Sequence, residues 1–517
     1  MKTHRPSFRI LASTLVLFAA GHRADATDRR VPDDFTSIQA AINASTSGDV
    51  VQVSSAGSPY FTQLSLHDGV SVLGGYSPDF LVRDPVFFET ILQLPDGLDS
   101  ASVVVATNVG PTTTFDGFTV TGGNSAFSGG GMFCGAGAAL TVSNCKFVRN
   151  FAAVTGGGMQ LASTTTAIVR NCLFQENSSG TRGGGLTAGI GADGVLVELC
   201  TFEACTTGTN LASTGGGGVY LTVPIRFERN KIRNCYSMSN GGGLYVDNTN
   251  VRAWGNLFTE NRAEGDGGGV YHNGGSSEHN DSLIEMCTAG ADGAGNGGGI
   301  CFVGGTNRWI GGIIRANMAI GSGNTNGIGG GVCFQEVLNG LVQGAEITQN
   351  VAPKGAGIYM AGPASGPFSV ANVRNCTIAF NSSPGQSGAG IHASGQELGE
   401  IVNNVISHQV DGFGIACNSP ASPNIRYNDV FNSDVINLDA EYGVDCPDRT
   451  GLNGNIRVDP LFCSIIADPP DLAVASNSQV LDAGEGGTHM GAYGASVACG
   501  TISVEESSWG KIKSLYR

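Results

Sequence analysis

Long apolar runs are missing from this chain. The longest near its start, residues 10–20, has 11 residues, about half of the roughly 20 that a membrane-spanning helix needs. Lys2, Arg5 and Arg9 surround its start and Ala24-Asp25-Ala26 follows it, the layout of a secretory signal with a small-x-small cleavage site. Residues 1–26 are therefore expected to be removed, with Ala24 and Ala26 framing the cut. The mature chain is expected to be secreted, outside the cell or on an outer-membrane surface, without a transmembrane segment. Charge is scarce as well, at 14% of residues, and the net charge is −16. Loss of residues 1–26 removes four basic residues (Lys2, Arg5, Arg9, Arg23) and one acidic (Asp25), leaving −19. So acidic a chain is a poor match for nucleic acid, which is bound by neutralising phosphates with Lys and Arg. Among the 14 cysteines only Cys200 and Cys205 have the C-x2-4-C spacing typical of zinc sites, and no second such pair completes a ligand set. Finally, no amphipathic helix of 10–15 residues separates the apolar segments, which excludes a βα solenoid.

Glycine is what the chain has in excess, 80 residues, and it is periodic. Ten times between Gly129 and Ile391 a Gly-Gly-Gly or Gly-Ala-Gly triplet precedes an apolar residue, ending at Met132, Met159, Leu186, Val219, Leu244, Val270, Ile300, Val332, Ile358 and Ile391. Successive copies are 25–33 residues apart. A repeat of this size marks a solenoid, whose units bury their faces only against neighbours. After most triplets the first and third residues are apolar, as in Met132/Cys134, Val219/Leu221 and Leu244/Val246. Period-two alternation means strands with one buried face. Strands that recur in one direction without crossover helices must stack as parallel sheets, giving an all-β parallel β-helix. At about 4.8 Å per coil, ten coils make a rod of roughly 45–50 Å.

A second signature, F-x-x-N or I-x-x-N, stands upstream of most triplets: Phe147–Asn150, Phe174–Asn177, Phe258–Asn261, Ile314–Asn317, Ile347–Asn350 and Ile378–Asn381. Asparagine tolerates left-handed backbone angles and bonds to nearby main chain, so it is expected at a turn. The cysteines follow the same repeat. Cys145, Cys172, Cys200 and Cys376 precede the Phe/Ile position by two residues, and Cys205, Cys235 and Cys287 replace the asparagine. A buried, reduced column is the expectation for Cys145, Cys172 and Cys200, because parallel side-chain vectors suit a disulfide badly. Cys417, Cys446, Cys463 and Cys499 lie in less regular chain, where bridges are expected.

The triplets and F-x-x-N pairs resemble the repeats of bacterial polymorphic outer-membrane proteins. The chain as a whole resembles the right-handed parallel β-helix of the pectate-lyase-like superfamily. Val31-Pro32-Asp33-Asp34-Phe35 and Ile38-Gln39-Ala40-Ala41-Ile42 are similar to the capping helix of such rods. Gly454-Asn455-Ile456, Asp459-Pro460-Leu461-Phe462 and Leu481-Asp482-Ala483-Gly484 are similar to their closing segments. The resemblance implies residues 27–500 as one β-helix, divided into cap and first coils (27–128), triplet coils (129–410) and closing segment (411–500). Residues 501–517 form a tail whose end, Trp509 to Arg517, is similar to sorting signals of secreted bacterial proteins; an ordinary frayed terminus is the other reading. The export barrel of polymorphic outer-membrane proteins has no counterpart after Gly500.

Function is far less legible. The motifs expected of polygalacturonases and pectinesterases are missing, and Asp247, Asp266 and Asp292 fall at different offsets in successive coils. The histidines His67, His272, His279, His392, His408 and His489 show no ligand-like spacing. One stripe stands out: Tyr220, Tyr245 and Tyr271 occupy the second position after three consecutive triplets, with Asp247 and Asn273 two residues further on. If the first and third positions point inward, these five residues form an outward platform for a sugar or peptide; the bland reading is an aromatic stack that only stabilises the sheet. The expectation is a non-catalytic rod with a binding, adhesion or display role, meeting a polysaccharide or a host-cell ligand. The rival is a lyase or hydrolase acting on an acidic polysaccharide. No cofactor is expected, and calcium enters only with the lyase.

Overall fold

The computed structural model describes residues 26–493 apart from 163–165, 190–193, 209–213, 322–326, 364–367, 385–386, 433–440 and 466. Residues 1–25, Cys499 and the tail at 501–517, with the signal and sorting expectations, lie outside the described residues. The chain winds into a parallel β-solenoid. In the coil that opens at Met132, strand Met132–Cys134 belongs to a 14-stranded sheet (the triplet sheet) and Ala139–Ser143 to a 15-stranded sheet (the wide sheet). Lys146–Val148 follows in a second 14-stranded sheet (the phenylalanine sheet), then Phe151–Ala152 in an eight-stranded sheet of two-residue strands (the short sheet). Each strand pairs in parallel with its equivalent one coil on: Met132 with Met159, Val142 with Val169, Phe147 with Phe174.

This register puts like residues in columns. The first and third positions after the triplets are buried along one continuous core. Phe147, Phe174 and Phe202 stack with centroids 4.9 and 4.7 Å apart and planes 9° from parallel, so burial is combined with favourable ring contact. Within a triplet the glycines serve two purposes. Gly241 has φ +64°, open to glycine at little steric expense. A Cβ on Gly242 would stand 2.4 Å from Gly268 O and 2.5 Å from Arg262 C, both backbone of the next coil.

The F-x-x-N asparagines differ from expectation. The left-handed residue is the one before them: Arg149, Glu176, Glu260 and Gln349 have φ of 53–58°. The asparagines themselves are buried and bond between coils. Asn150 donates from Nδ2 to Val120 O (3.0 Å), while its N–H donates to Asn177 Oδ1 (3.0 Å). Asn177 repeats the first bond to Phe147 O at 2.7 Å. Where cysteine replaces asparagine, the thiol takes the same direction, with Cys205 Sγ 3.3 Å from Phe174 O and Cys235 Sγ 3.6 Å from Phe202 O. A second corner, between the wide and phenylalanine sheets, works alike. Cys145, Cys172 and Cys200 each follow a left-handed residue, and Asn230 and Asn256 continue their column. Cysteine is thus a weak donor standing in for the asparagine amide.

The N-terminal end is closed. Helix Ile38–Asn43, capped by the Ser37 hydroxyl, buries Ile38, Ala41 and Ile42 at the N-terminal end. At the other end Cys417 and Cys446 are joined by a disulfide, with Cα atoms 4.9 Å apart, and Cys463 is also disulfide-bonded. Ten cysteines, Cys145, Cys172 and Cys200 among them, are free and buried. The regular coils end at Ile456, which bridges to Asp429. The chain then makes an antiparallel pair, Phe462–Ser464 with Asp471–Val474, and returns along the outer face of the phenylalanine sheet. No helix among the described residues is long and apolar enough to cross a membrane.

Candidate functional site

The tyrosine stripe faces away from the main core, as the alternation requires, but it is not open to solvent. Tyr220, Tyr245 and Tyr271 are 1, 2 and 8% exposed and form a second apolar cluster with Cys301, Cys333, Ile328 and Tyr359. Its rings lie 4.9 Å apart, tilted rather than flat. The triplet corner folds back over this side: Gly216 sits against the Tyr220 side chain, and Gly215 approaches the Tyr245 ring. Arg182 lies over the Tyr220 ring at 5.1 Å. The Tyr220 hydroxyl donates to Asp247 Oδ2 (2.7 Å) and Asn273 Nδ2 donates to Asp247 Oδ1 (3.0 Å). Burial, reinforced by the Asp247 bond, pushes the Tyr220 phenol up. The five residues do come together, but their rings and donors are engaged with one another. The expectation of an open platform is corrected: only the half-buried edge at Asp247 and Asn273 reaches the surface.

The remaining sequence candidates are mostly structural. Asp266 Oδ1 accepts the Asn296 N–H (2.8 Å), and burial holds its carboxyl at about 6. Asp292 contacts the Glu264 carboxyl, whose affinity for protons rises through burial and that neighbour. Among the described residues, no three His, Cys, Asp or Glu side chains are placed to hold a metal ion. Sequence spacing missed one histidine pair. His272 and His279 project from two different sheets into the core, with Nε2 atoms 2.8 Å apart. They stack on Phe302 and Trp309, and burial drives both towards the neutral form, His279 down to about 3. Seven residues span one strand, a turn and the next strand, a separation that looks like nothing until the coil is closed. Buried thiols are similarly inert, with Cys134, Cys287 and Cys376 pushed up to about 12.

The outer face of the wide sheet carries a different set. Six residues before each Phe/Ile position, successive coils place Arg226, Arg252, Glu278 and Arg308 in one register column. Trp254 stands beside Arg252 on the same face and is 39% exposed. Arg226 Nε is held by Glu228 Oε1 at 2.9 Å, and Asn280 donates to Glu278 at 2.9 Å. Arg252 and Arg308 are exposed and make no ion pair among the described residues. Arg229, bonded to Glu198 (2.9 Å), places its guanidinium 5.8 Å from the Trp254 ring. Free guanidiniums pair with carboxylates or sulfates in a fork geometry, and an indole beside them offers a face to the C–H side of a sugar. At roughly 4.8 Å per coil, Arg252 and Arg308 are rooted about 10 Å apart.

Residues 102–308 match the family model of a right handed beta helix region. That span contains Tyr220, Tyr245 and Tyr271 and ends on Arg308. Among curated proteins, none matches the chain.

Proposed function

We propose that this protein is a secreted or cell-surface β-helix rod that binds an extended anionic polysaccharide across the wide sheet and does not cleave it. The supporting observation is the pair of exposed guanidiniums at Arg252 and Arg308, which flank Glu278 in the column and make no ion pair among the described residues, beside half-exposed Trp254, while the tyrosine stripe is enclosed. A straight polymer lying across the strands meets one residue of the column per coil, so contacts add along its length. The rod's net negative charge is largely screened beyond the Debye length of about 8 Å at physiological salt, so the guanidiniums at the contact dominate. Binding is therefore expected to be salt-sensitive.

The test is a panel of acidic and neutral polysaccharides, assayed with and without calcium, against wild type, Arg252→Ala/Arg308→Ala and Trp254→Ala. Wild type should retain acidic polymers only, and each variant should weaken binding about tenfold or more, as expected for lost charge-assisted and stacking contacts. Undiminished binding by the double arginine variant would remove this face from the function. Release of unsaturated or reducing sugar ends by wild type would replace the binder with the lyase or hydrolase reading.

A further inference from the structure

The returning C-terminal segment covers one outward column of the phenylalanine sheet: Glu346, Thr377, Val405 and Asp429. Val474, Val480 and Met490 pack on Val405. Gly491 N–H donates to Asn403 O (2.7 Å) and Ala492 N–H to Thr377 Oγ1 (3.0 Å). Two carboxyls are trapped beneath. Asp429 is fully buried; its Oδ1 accepts the Val458 N–H (3.0 Å), while Oδ2 has no partner among the described residues. Glu346, also buried, accepts the Tyr493 hydroxyl. Neither makes a salt bridge among the described residues, and the nearby Arg315 is bonded to Glu285. An outward column at these positions elsewhere holds lysine, leucine or threonine, so two enclosed acids are not imposed by the repeat.

We infer that residues 456–493 form a proton-held strap, docked on the sheet while Asp429 and Glu346 are protonated and lifting from it as they ionise. A buried carboxylate without a counter-ion is costly, and the chain can relieve it by opening to water. Burial holds Asp429 at about 8, with Asp459 adding repulsion, and Glu346 at about 6 against the Tyr493 bond and Arg315, which pull it down, while Asp471 pushes it up. Both are raised above ordinary carboxyl values. Their contribution to docking is thus complete below about pH 4 and is lost as pH rises through 6 and then 8. Other ionisable groups face the same seam. Tyr442, near Asp429, is kept neutral by burial. Arg457 pairs with Glu441 (2.8 Å), and Arg426 pairs with Glu485 and with Glu400. His408, between Phe431 and Phe462, is held neutral by burial, so its protonation in acid acts in the opposite sense.

Hydrogen exchange of the intact chain from pH 5 to 9, corrected for intrinsic exchange, reads the strap through the Val458, Gly491 and Ala492 amides. Their protection relative to the Phe147–Phe202 coils should fall at least about tenfold over this range in wild type. Asp429→Asn should keep most of that protection at pH 9, and Asp429→Asn/Glu346→Gln should flatten the profile. A wild-type profile already flat, or one that falls equally in the double variant, would overturn the inference. The wild-type course alone remains decisive if the variants fold poorly.

Discussion

The corner ladders predict a graded response at Asn350, which is fully buried. Its Oδ1 accepts from the Asn317 N–H and Nδ2, each at 3.0 Å, and its Nδ2 donates to Ile314 O and Asn381 Oδ1, each at 3.0 Å. Asn350→Ala leaves the Asn317 amide and the Ile314 carbonyl without these partners in a place water does not reach. At about 1–3 kcal/mol for each orphaned group, the coil interface loses about 2–6 kcal/mol. Asn350→Cys should do less harm. Cysteines at the same corner keep a thiol 3.3–3.8 Å from the equivalent carbonyl, so only the acceptor for Asn317 is lost. A solenoid's stability is a sum of local interfaces, and its overall melting is not two-state. The sensitive measurement is therefore hydrogen exchange at Asn317. Its protection should drop about 30-fold or more in the alanine variant, the equivalent of about 2 kcal/mol, and by an intermediate factor in the cysteine variant. Unchanged protection with alanine, or a cysteine variant weaker than alanine, would refute the idea that the two residues fill one donor role.

Gly242→Val should lower unfolding resistance by about 1–3 kcal/mol or more, because its Cβ meets rigid backbone rather than a side chain that can move; circular dichroism during denaturation checks this. Alkylation of the unreduced, unfolded chain followed by mass spectrometry should find Cys145, Cys172 and Cys200 as thiols and Cys417 joined to Cys446; a link among the first three would contradict the column. Truncating Tyr220, Tyr245 and Tyr271 together to alanine should cost about 3 kcal/mol or more per ring and collapse the central coils, seen as a shifted denaturation profile; an unshifted profile would mean that the cluster is open.

Local patterns carried the architecture into the sequence. Triplet spacing fixed the coil, and the alternation Met132/Cys134 or Leu244/Val246 identified the buried side, because both depend only on neighbours in the chain. The tyrosines show where that reasoning stops. Alternation says that Tyr245 faces the other side of its own sheet from Leu244. It does not say that the glycine corner folds a second layer over that side. The asparagine and cysteine corners misled for a related reason. Asn150 and Cys205 share one role, but their chemistry differs enough that the sequence suggested a turn residue in one case and a filler in the other. His272 and His279 meet only because two sheets close around a common core.

Charge placement along the rod gives the wide sheet its meaning. Several cross-coil neighbours of opposite sign are paired: Arg233 with Glu203, Arg315 with Glu285, Arg374 with Glu400. At Arg226 and Arg252 the register brings two arginines side by side, an arrangement in which like charges repel. Glu228 relieves one of them; Arg252 is left exposed next to Trp254, and Arg308 repeats it two coils on. Nothing in the core requires guanidiniums there, since the neighbouring coils place Leu196, Leu341 and Asn372 at the same position. A rod whose buried polar groups are largely committed to its own ladders has such outward columns left for contact with other molecules, and this column gathers three arginines around Glu278 beside a half-exposed indole. An anionic chain laid across it would remove the repulsion that the unliganded rod retains.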